Sequence, residues 1–476
     1  MPPSKSARSA TRERGLLLLL AGLFLLEKWV CSWWFIGGTS TLQDLQFGFG
    51  AYVQSLLAHG NFAACVGARC NHASRMPVIP LFCALVARFC DRQIVAALLK
   101  DALLSCGLVG ALGFLQARSP AQAQPLRRSF LLVLGIMVLC PPVIKHASMI
   151  SYEEGFILEP LLVWMACVVI SAQLLGSRAP AEAAPWIAMA LLISLFVFMT
   201  KSSMVLVLAL SFALGLGGLG ALVVEGRSMR GVAPVALALL ACVAVVGFWG
   251  LRQQREVGRF SIMSTWDGEN LYRGNNPIAP EIYPRLSLDQ LFDSHSVVLA
   301  DGQVLRLPRQ PGWLGYASER SWDRGYRARA IHWMIDHKRA ALAFLLRKAE
   351  NFLASIHKTP AVQGSGARAP ERSWKLRIEQ ATITLWLVFG RAMELLLAYR
   401  LWHELRARDP IRAWRAGSML AALAAYSAPY VVGFNYERHI TPFLLLVLLC
   451  VAMLYFQAAS SPASSTTVSR QSPARR

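Results

Sequence analysis

The stretch at residues 148–170, SMISYEEGFILEPLLVWMACVVI, joins three carboxylates to a long apolar run. From Phe156 onward the run continues to about the length of a membrane-spanning helix, which needs about 20 mostly apolar residues. Glu153 and Glu154 stand at its start, and Glu159 stands inside it. Because acids are costly in lipid, they usually face a cavity or a partner charge. The stretch therefore predicts a membrane protein with a polar site at one end of a span.

The rest of the chain has the same apolar bias. Its residues are 55% hydrophobic and 16% charged, with a mean hydropathy of +0.43, which is outside the range of ordinary soluble domains. We predict an all-α polytopic membrane protein with about ten transmembrane helices and a small extracytoplasmic insert of mixed or mainly helical structure. The predicted spans are Leu16–Phe35, Ile94–Leu115, Phe130–Ile144, Phe156–Leu175, Pro185–Met199, Met204–Val224, Val232–Leu251, Ile378–Tyr399, Trp414–Val432 and Ile440–Phe456.

Orientation follows from the short loops, because Lys and Arg accumulate on the cytoplasmic side. Basic residues occur before the first span, in alternate loops and in the tail, so both termini are predicted to be cytoplasmic. The first segment is interpreted as an anchor, since its apolar run continues past Trp33 and Trp34 without a signal-peptide cleavage site. We predict that the chain begins with a cytoplasmic leader (1–14) and a transmembrane core (15–251), which contains an outer loop (37–93). An extracytoplasmic insert with an interfacial helix (252–377), C-terminal transmembrane helices (378–457) and a cytoplasmic tail (458–476) follow.

A formal net charge of +21 calls for an anionic partner. Membrane headgroups are the favoured partner, and phosphate-bearing lipids or acidic glycans are the alternative. Nucleic acid is not expected, because the basic residues are scattered over two membrane faces. The composition, rich in Ala, Arg and Leu, indicates a bacterial inner membrane with a periplasmic site.

Two of the ten cysteines, Cys65 and Cys70, bracket CVGARC in the first outer loop. In an oxidising compartment they can form a disulfide or stay free. Metal binding by this pair is less favoured, since no second Cys/His pair has zinc-like spacing. Inside apparent spans, Glu27 with Lys28 and Arg391 with Glu394 are expected to be helix pairs that face the bundle interior.

Several polar motifs of the outer face occur in a fixed order. They are Asp44, YVQSLLAHGNF, SRMPVIPLF, YEEGF, NLYRGNNPIAP and YERHITPFLLLVL. Over about residues 15–456 this order resembles the GT-C membrane glycosyltransferases, and especially the bacterial relatives of protein O-mannosyltransferases and lipid A aminoarabinose transferases. The resemblance implies an enzyme that moves a sugar from a polyprenyl-phosphate donor to a lipid, glycan or protein acceptor at the periplasmic face, with inversion.

The resemblance also implies roles for the acids. Asp44 matches the family's first-loop acid and is the expected base, although an Asp there also commonly caps a helix. Glu153 or Glu154 matches the second acid, and one of the two adjacent side chains is expected to face the site. Where the family has an acidic doublet, this chain has only Asp44. No cofactor is expected, and a divalent metal is possible but not favoured, because so few oxygen ligands are available.

The remaining site residues are cations and hydrogen-bonding groups of the predicted outer face. Arg75, Lys201 and Arg438 lie at outer ends of spans, where they bind the donor phosphate or anchor the helices by snorkelling. Predicted acceptor or sugar contacts are Tyr52, Asn275 and Asn276, and the two asparagines also fit an Asn-Pro turn.

Three other classes of function remain open. A transporter or lipid-linked glycan flippase also places charges around a central cavity, although no repeated halves are evident in this sequence. A ligase or polymerase of surface polysaccharide uses the same kind of lipid carrier. A nonenzymatic scaffold would tolerate replacement of Asp44.

Overall fold

The structure, a computed structural model, describes residues 5–118, 120–226, 229–283, 288, 296–298, 304–306, 310–354, 372–407, 409–433 and 437–460. In these residues the fold is helical, with two short antiparallel hairpins. The helices are α1 Lys5–Ile36, α2 Phe49–His59, α3 Val78–Ala87, α4 Gln93–Arg118, α5 Pro120–Val138, α6 Pro141–Ser148, α7 Glu154–Gly176, α8 Pro180–Thr200, α9 Val205–Val224, α10 Met229–Val257, α11 Asp267–Arg273, α12 Ala279–Ile282, α13 Glu319–Asp336, α14 Lys338–Ala354, α15 Arg372–Arg406, α16 Pro410–Val432 and α17 Glu437–Ser460. The hairpins pair β1 (Ala64–Val66) with β2 (Arg69–Asn71) and β3 (Ser296–Val298) with β4 (Val304–Arg306).

The prediction of an all-α polytopic membrane protein is confirmed. In the described residues, 8 helices are long and apolar enough to cross a membrane, or up to 9 if a bent pair is one span. The bent pair is α5 and α6, which meet at 90°. Pro141 and Pro142 open α6, and a proline ring cannot continue the preceding helix without loss of a hydrogen bond. The predicted span Phe130–Ile144 contains this bend, and its residues belong to both helices of the pair. The prediction of about ten spans is therefore too high for the described residues, because α16, which covers the predicted span Trp414–Val432, is not among the helices apolar enough to cross.

α7 and α17 form the centre of the bundle. Their apolar windows are 94% and 89% buried, whereas the windows of α1, α10 and α15 are at most 28% buried. α7 packs against α4, α8, α16 and α17. The carboxylates at the start of α7 therefore lie near the bundle centre.

A cluster of four charged residues is buried between α1, α4 and α7. Lys28 of α1 contacts Glu159 of α7 and lies 3.7 Å from Asp101 of α4. Lys100 lies 3.1 Å from the same aspartate. The two positive and two negative charges sum to zero, and charged residues inside a membrane usually pair in this way. We call Lys28, Lys100, Asp101 and Glu159 the intramembrane charge cluster.

The two ion pairs predicted inside spans have different outcomes. The pairing of Glu27 with Lys28 is wrong, because Lys28 lies on the buried face of α1 and contacts Glu159 instead. Arg391 and Glu394 do pair, at 3.3 Å. However, the Arg391 side chain is 49% exposed, so it does not face the bundle interior.

The segment between α10 and α15 is attached to residues 37–93, which we call the first loop, in the part between α2 and α3. Glu319, at the start of α13, accepts hydrogen bonds from the backbone N–H of His72 (2.7 Å) and Ala73 (2.9 Å). Arg69, in the β1–β2 hairpin, donates to the carbonyl of Tyr316 at 3.1 Å. These contacts hold the region around Tyr316 and Glu319 against residues 69–73.

The β1–β2 hairpin is closed by a disulfide. Cys65 and Cys70 are opposite each other in the strand pairing and are covalently joined. The disulfide alternative for these two cysteines is therefore the one that the structure shows. It holds the short turn from which Arg69 reaches the α10–α15 segment.

Candidate functional site

A cavity of ≈ 420 Å³ lies where several spans begin or end. Its walls come from the start of α7, the turn between α8 and α9, the end of α16, the start of α17, and parts of the first loop and of the α10–α15 segment. Among the predicted site residues, both acids at the start of α7 and all three cations line it: Glu153, Glu154, Arg75, Lys201 and Arg438. We call this space the charged cavity.

Glu154 is the first residue of α7, and its side chain is completely buried. It contacts Lys201, and its carboxylate oxygens lie 3.3 Å from Nε2 of His439 and 3.8 Å from Nε of Arg438. The N-terminus of a helix also favours negative charge. Burial of this carboxylate is therefore compensated by neighbouring cationic and polar groups.

Glu153 also lines the charged cavity, so the expectation that only one of the two acids would face it is wrong. The Glu153 oxygens lie 3.3 Å from Nζ of Lys201 and 3.6 Å from Nη1 of Arg75. Since Glu153 precedes the first residue of α7, both carboxylates extend from the same helix end towards Lys201. Lys201 joins the two acids.

Arg75 and Arg438 are held against aromatic rings. The guanidinium of Arg75 lies 3.9 Å from the ring centroid of Trp266, and that of Arg438 lies 5.1 Å from the ring centroid of Tyr152. Phe47 joins them, because its carbonyl accepts from Nε of Arg75 at 2.8 Å and its ring lies 5.4 Å from Arg438. Phe47 has a positive φ of 59°, which is uncommon for a non-glycine residue and costs energy.

The charged cavity also contains an acid that sequence reasoning missed, Asp267 of α11. Its two carboxylate oxygens accept hydrogen bonds from the hydroxyls of Ser202 and Ser264, each at 3.0 Å. Burial raises the pKa of Asp267 to about 6, although both serine hydroxyls act to lower it. The available signal was WDGENLYRG, where this acid lies just before the motif from Asn270 onward.

Two further arginines line the cavity, and each pairs with an acid that lies outside the lining. Arg273 donates from Nε to Glu269 at 3.1 Å, and Arg327 donates from Nη2 to Asp323 at 2.8 Å. Neither arginine was a predicted site residue. Their partners are not in the cavity lining, so both guanidinium groups add positive charge to its walls.

Asp44 does not line the charged cavity. Its carboxylate accepts from the backbone N–H of Thr41 at 3.4 Å and from the Thr41 hydroxyl at 2.5 Å. Asp44 is exposed and ends the 3-10 turn Leu42–Asp44. The geometry gives it the local capping role that was the alternative to a catalytic one.

Tyr52 is buried beneath the cavity wall and does not line it. Its hydroxyl lies 3.0 Å from Oγ of Ser74 and 3.1 Å from Oδ1 of Asn71, and it accepts from the backbone N–H of Ser74 at 3.1 Å. Because Arg75 follows Ser74, Tyr52 fixes the backbone that presents this arginine. It is placed to position a cation rather than to contact a sugar.

Asn275 and Asn276 also lie outside the cavity lining, and both stabilise local structure. Asn276 accepts at Oδ1 from the backbone N–H of Ile278 and of Ala279, each at 2.9 Å. Asn275 donates to the carbonyl of Val432 at 2.8 Å. The first interaction fits the Asn-Pro turn. The second attaches the α10–α15 segment to the end of α16, which forms part of the cavity wall.

In the part of the chain that the structure describes, no group of three or more His, Cys, Asp or Glu residues is arranged to hold a metal ion. Metal independence stays a prediction. No family model matches the chain, and the curated proteins and solved structures contain no match to it either. The GT-C resemblance therefore stays an expectation.

Proposed function

We propose that this chain is an integral-membrane glycosyltransferase that moves a sugar from a polyprenyl-phosphate donor to an acceptor at the periplasmic face. The observation that carries the proposal is the charged cavity, in which Arg75, Lys201 and Arg438 converge with carboxylates at the ends of spans. A lipid-linked donor needs this position, because its tail stays in the bilayer while its phosphate and sugar enter a polar site.

The cations suit the leaving group of this reaction. Transfer breaks the bond between the anomeric carbon and a phosphate oxygen, so negative charge grows on the phosphate as the sugar departs. Fixed cationic donors stabilise such charge, and guanidinium groups bind phosphate through two parallel hydrogen bonds. Arg75 and Arg438 are already held by aromatic rings and would need little reorganisation to bind it.

The assignment of the cavity to the periplasmic side has two supports. Short basic loops predominate at the other ends of the spans, as expected for the cytoplasmic side. The Cys65–Cys70 disulfide belongs to the loop attached to the cavity wall, and disulfides persist mainly in oxidising compartments.

The test is release of polyprenyl phosphate from a panel of labelled polyprenyl-phosphate hexoses and pentoses. Purified protein is mixed with each donor and a crude membrane extract as the source of acceptor. We expect turnover with at least one donor and a fall in kcat/KM of about 100-fold in Arg438→Gln, because a donor to the developing charge is lost. Glu350→Gln serves as the matched control, since Glu350 is exposed on α14 and outside the cavity lining.

The same assay separates the rival functions. A flippase moves the lipid-linked sugar without release of polyprenyl phosphate. A ligase or polymerase releases the carrier but adds a preassembled chain, which the product mass shows. If no donor in the panel turns over, or if Arg438→Gln matches wild type, the transferase assignment should be dropped.

A further inference from the structure

We infer that Asp267 is the proton acceptor for the attacking hydroxyl. This inference rests on the proposed transferase function. Asp267 lines the same cavity as the phosphate-binding cations, and two serine hydroxyls fix its carboxylate. No sequence prediction gave it a role.

The three acids of the cavity lining have different partners: the two glutamates lie beside cations, and Asp267 lies beside serine hydroxyls. Glu154 contacts Lys201, and Glu153 lies within 3.6 Å of both Lys201 and Arg75. A carboxylate paired with a cation holds a proton weakly and is a poor base. Within the described residues Asp267 makes no ion pair, and serine hydroxyls are its side-chain hydrogen-bond partners. It is therefore the cavity acid best placed to take up a proton.

The charges around Asp267 support a base that works near neutral pH. On α13, which packs against α11, Arg327 acts to lower the pKa of Asp267 and Asp323 acts to raise it. Burial is the largest effect, and it raises this pKa to about 6. General bases work best when their pKa is close to the operating pH. The other charged side chains of the cavity lining are Arg75, Glu153, Glu154, Lys201, Arg273 and Arg438.

Asp44, the base that the resemblance implied, has a different environment. It is exposed, it is bound to Thr41, and it does not line the charged cavity. A base must come within hydrogen-bond reach of the proton that it takes. Asp267 lines the cavity and can meet this requirement, whereas Asp44 lies outside the lining.

The transfer exchanges one bond at the anomeric carbon and moves one proton. The acceptor hydroxyl oxygen forms a bond to the anomeric carbon, and the bond from that carbon to the donor phosphate oxygen breaks. The phosphate leaves with the bonding electron pair as polyprenyl phosphate. The hydroxyl proton passes to the Asp267 carboxylate and from there to solvent, which restores the base.

The experiment compares wild type with Asp267→Asn in the donor-release assay as a function of pH. We expect kcat to fall about 100- to 10,000-fold, the range of general-base contributions, with donor KM within about 3-fold of wild type. Wild-type kcat/KM, which reports the groups of the free enzyme, should decline below about pH 6, and this acid limb should be absent from the residual activity of the variant. The donor is a phosphodiester and does not titrate in this range. Glu350→Gln should match wild type.

A second variant keeps the test decisive if Asp267→Asn fails to fold. Ser264→Ala removes one hydrogen bond to the carboxylate, so the pKa of Asp267 should rise and the acid limb should move to higher pH. An unchanged limb in Ser264→Ala would overturn the proton-acceptor role.

The remaining outcomes separate this role from the proposed function. An active wild type with an Asp267→Asn variant within about 3-fold of it overturns only the role of Asp267. The same holds if Asp44→Asn abolishes turnover while Asp267→Asn does not. A wild type that is inactive with every donor overturns the proposed function, and the role of Asp267 with it.

Discussion

Lys201 and Glu154 form a buried ion pair at the wall of the charged cavity, and the same lysine lies 3.3 Å from Glu153. Two adjacent carboxylates at the start of a buried helix would repel each other without this cation. The turn between α8 and α9, which presents Lys201, is therefore coupled electrostatically to α7. The pair serves both the stability of the fold and the charge pattern of the site.

Replacement of this lysine should destabilise the protein. Lys201→Met leaves Glu154 buried with fewer compensating charges, and loss of one partner from a buried pair costs about 3–5 kcal/mol. Thermal unfolding in detergent measures the effect as a lower Tm. Lys201→Met/Glu154→Gln should recover part of the loss, because no uncompensated carboxylate is then left at that position. Equal Tm values for the single and double variants would contradict the pairing.

The intramembrane charge cluster gives a second prediction. Lys28→Met should lower the Tm strongly, since Glu159 and Asp101 would then share only Lys100 as a nearby cation. Lys28→Met/Glu159→Gln should be more stable than Lys28→Met alone, because it restores formal neutrality. Glu350→Gln, which removes an exposed charge on α14, is the control and should change the Tm much less than Lys28→Met does. A neutral effect of Lys28→Met would show that the cluster does not stabilise the bundle.

The sequence predicted the spans well because lipid imposes one strong requirement, a long apolar helix whose backbone bonds are internal. It predicted five of the cavity residues because their positions at span ends, combined with loop sidedness, place them on one face. It failed where contacts depend on tertiary packing. The partner of Lys28 is far away in sequence, and composition alone gives no sign of the bend before Pro141.

Asp267 was missed for a related physical reason. It lies in a long segment without a hydropathy pattern, and nothing in the local sequence relates it to Ser202 in the turn between α8 and α9. Asp44 illustrates the opposite error. A local motif suggested chemistry, but the side chain bonds to its own turn at Thr41.

The disulfide of the first loop should stabilise the attachment of the α10–α15 segment. Cys65→Ser/Cys70→Ser should lower the free energy of unfolding by about 2 kcal/mol, because a disulfide that closes so short a loop restricts the unfolded chain only modestly. Because Arg69 reaches Tyr316 from this hairpin, limited proteolysis near Tyr316 should also become faster. Cys106→Ser, at an exposed free cysteine, is the control. Unchanged proteolysis in the double variant would show that the hairpin holds Arg69 without the disulfide.

The raised pKa of Asp267 predicts a stability effect that depends on pH. Well below its ordinary pKa of 3.8, this carboxyl is protonated in both the folded and the unfolded chain, so its burial costs little. As pH rises towards about 6, the unfolded chain ionises first, from an ordinary pKa of 3.8, and the folded state becomes relatively less stable. Above pH 6 the full cost is present, on the order of 1–3 kcal/mol, since one pKa unit corresponds to about 1.4 kcal/mol and partial exposure reduces the effect.

Asp267→Asn removes this cost, because the amide does not ionise. The variant should therefore have a higher Tm than wild type at pH 7.5, and the difference should shrink as the pH is lowered from 6 towards 4. Thermal unfolding of both proteins across this pH range measures it. Combined with lost turnover, this result would mean that Asp267 is kept ionised at the expense of stability, as expected of a buried base. A difference in Tm that does not change with pH would show that Asp267 titrates at its ordinary pKa, and burial would then have no role in setting its basicity.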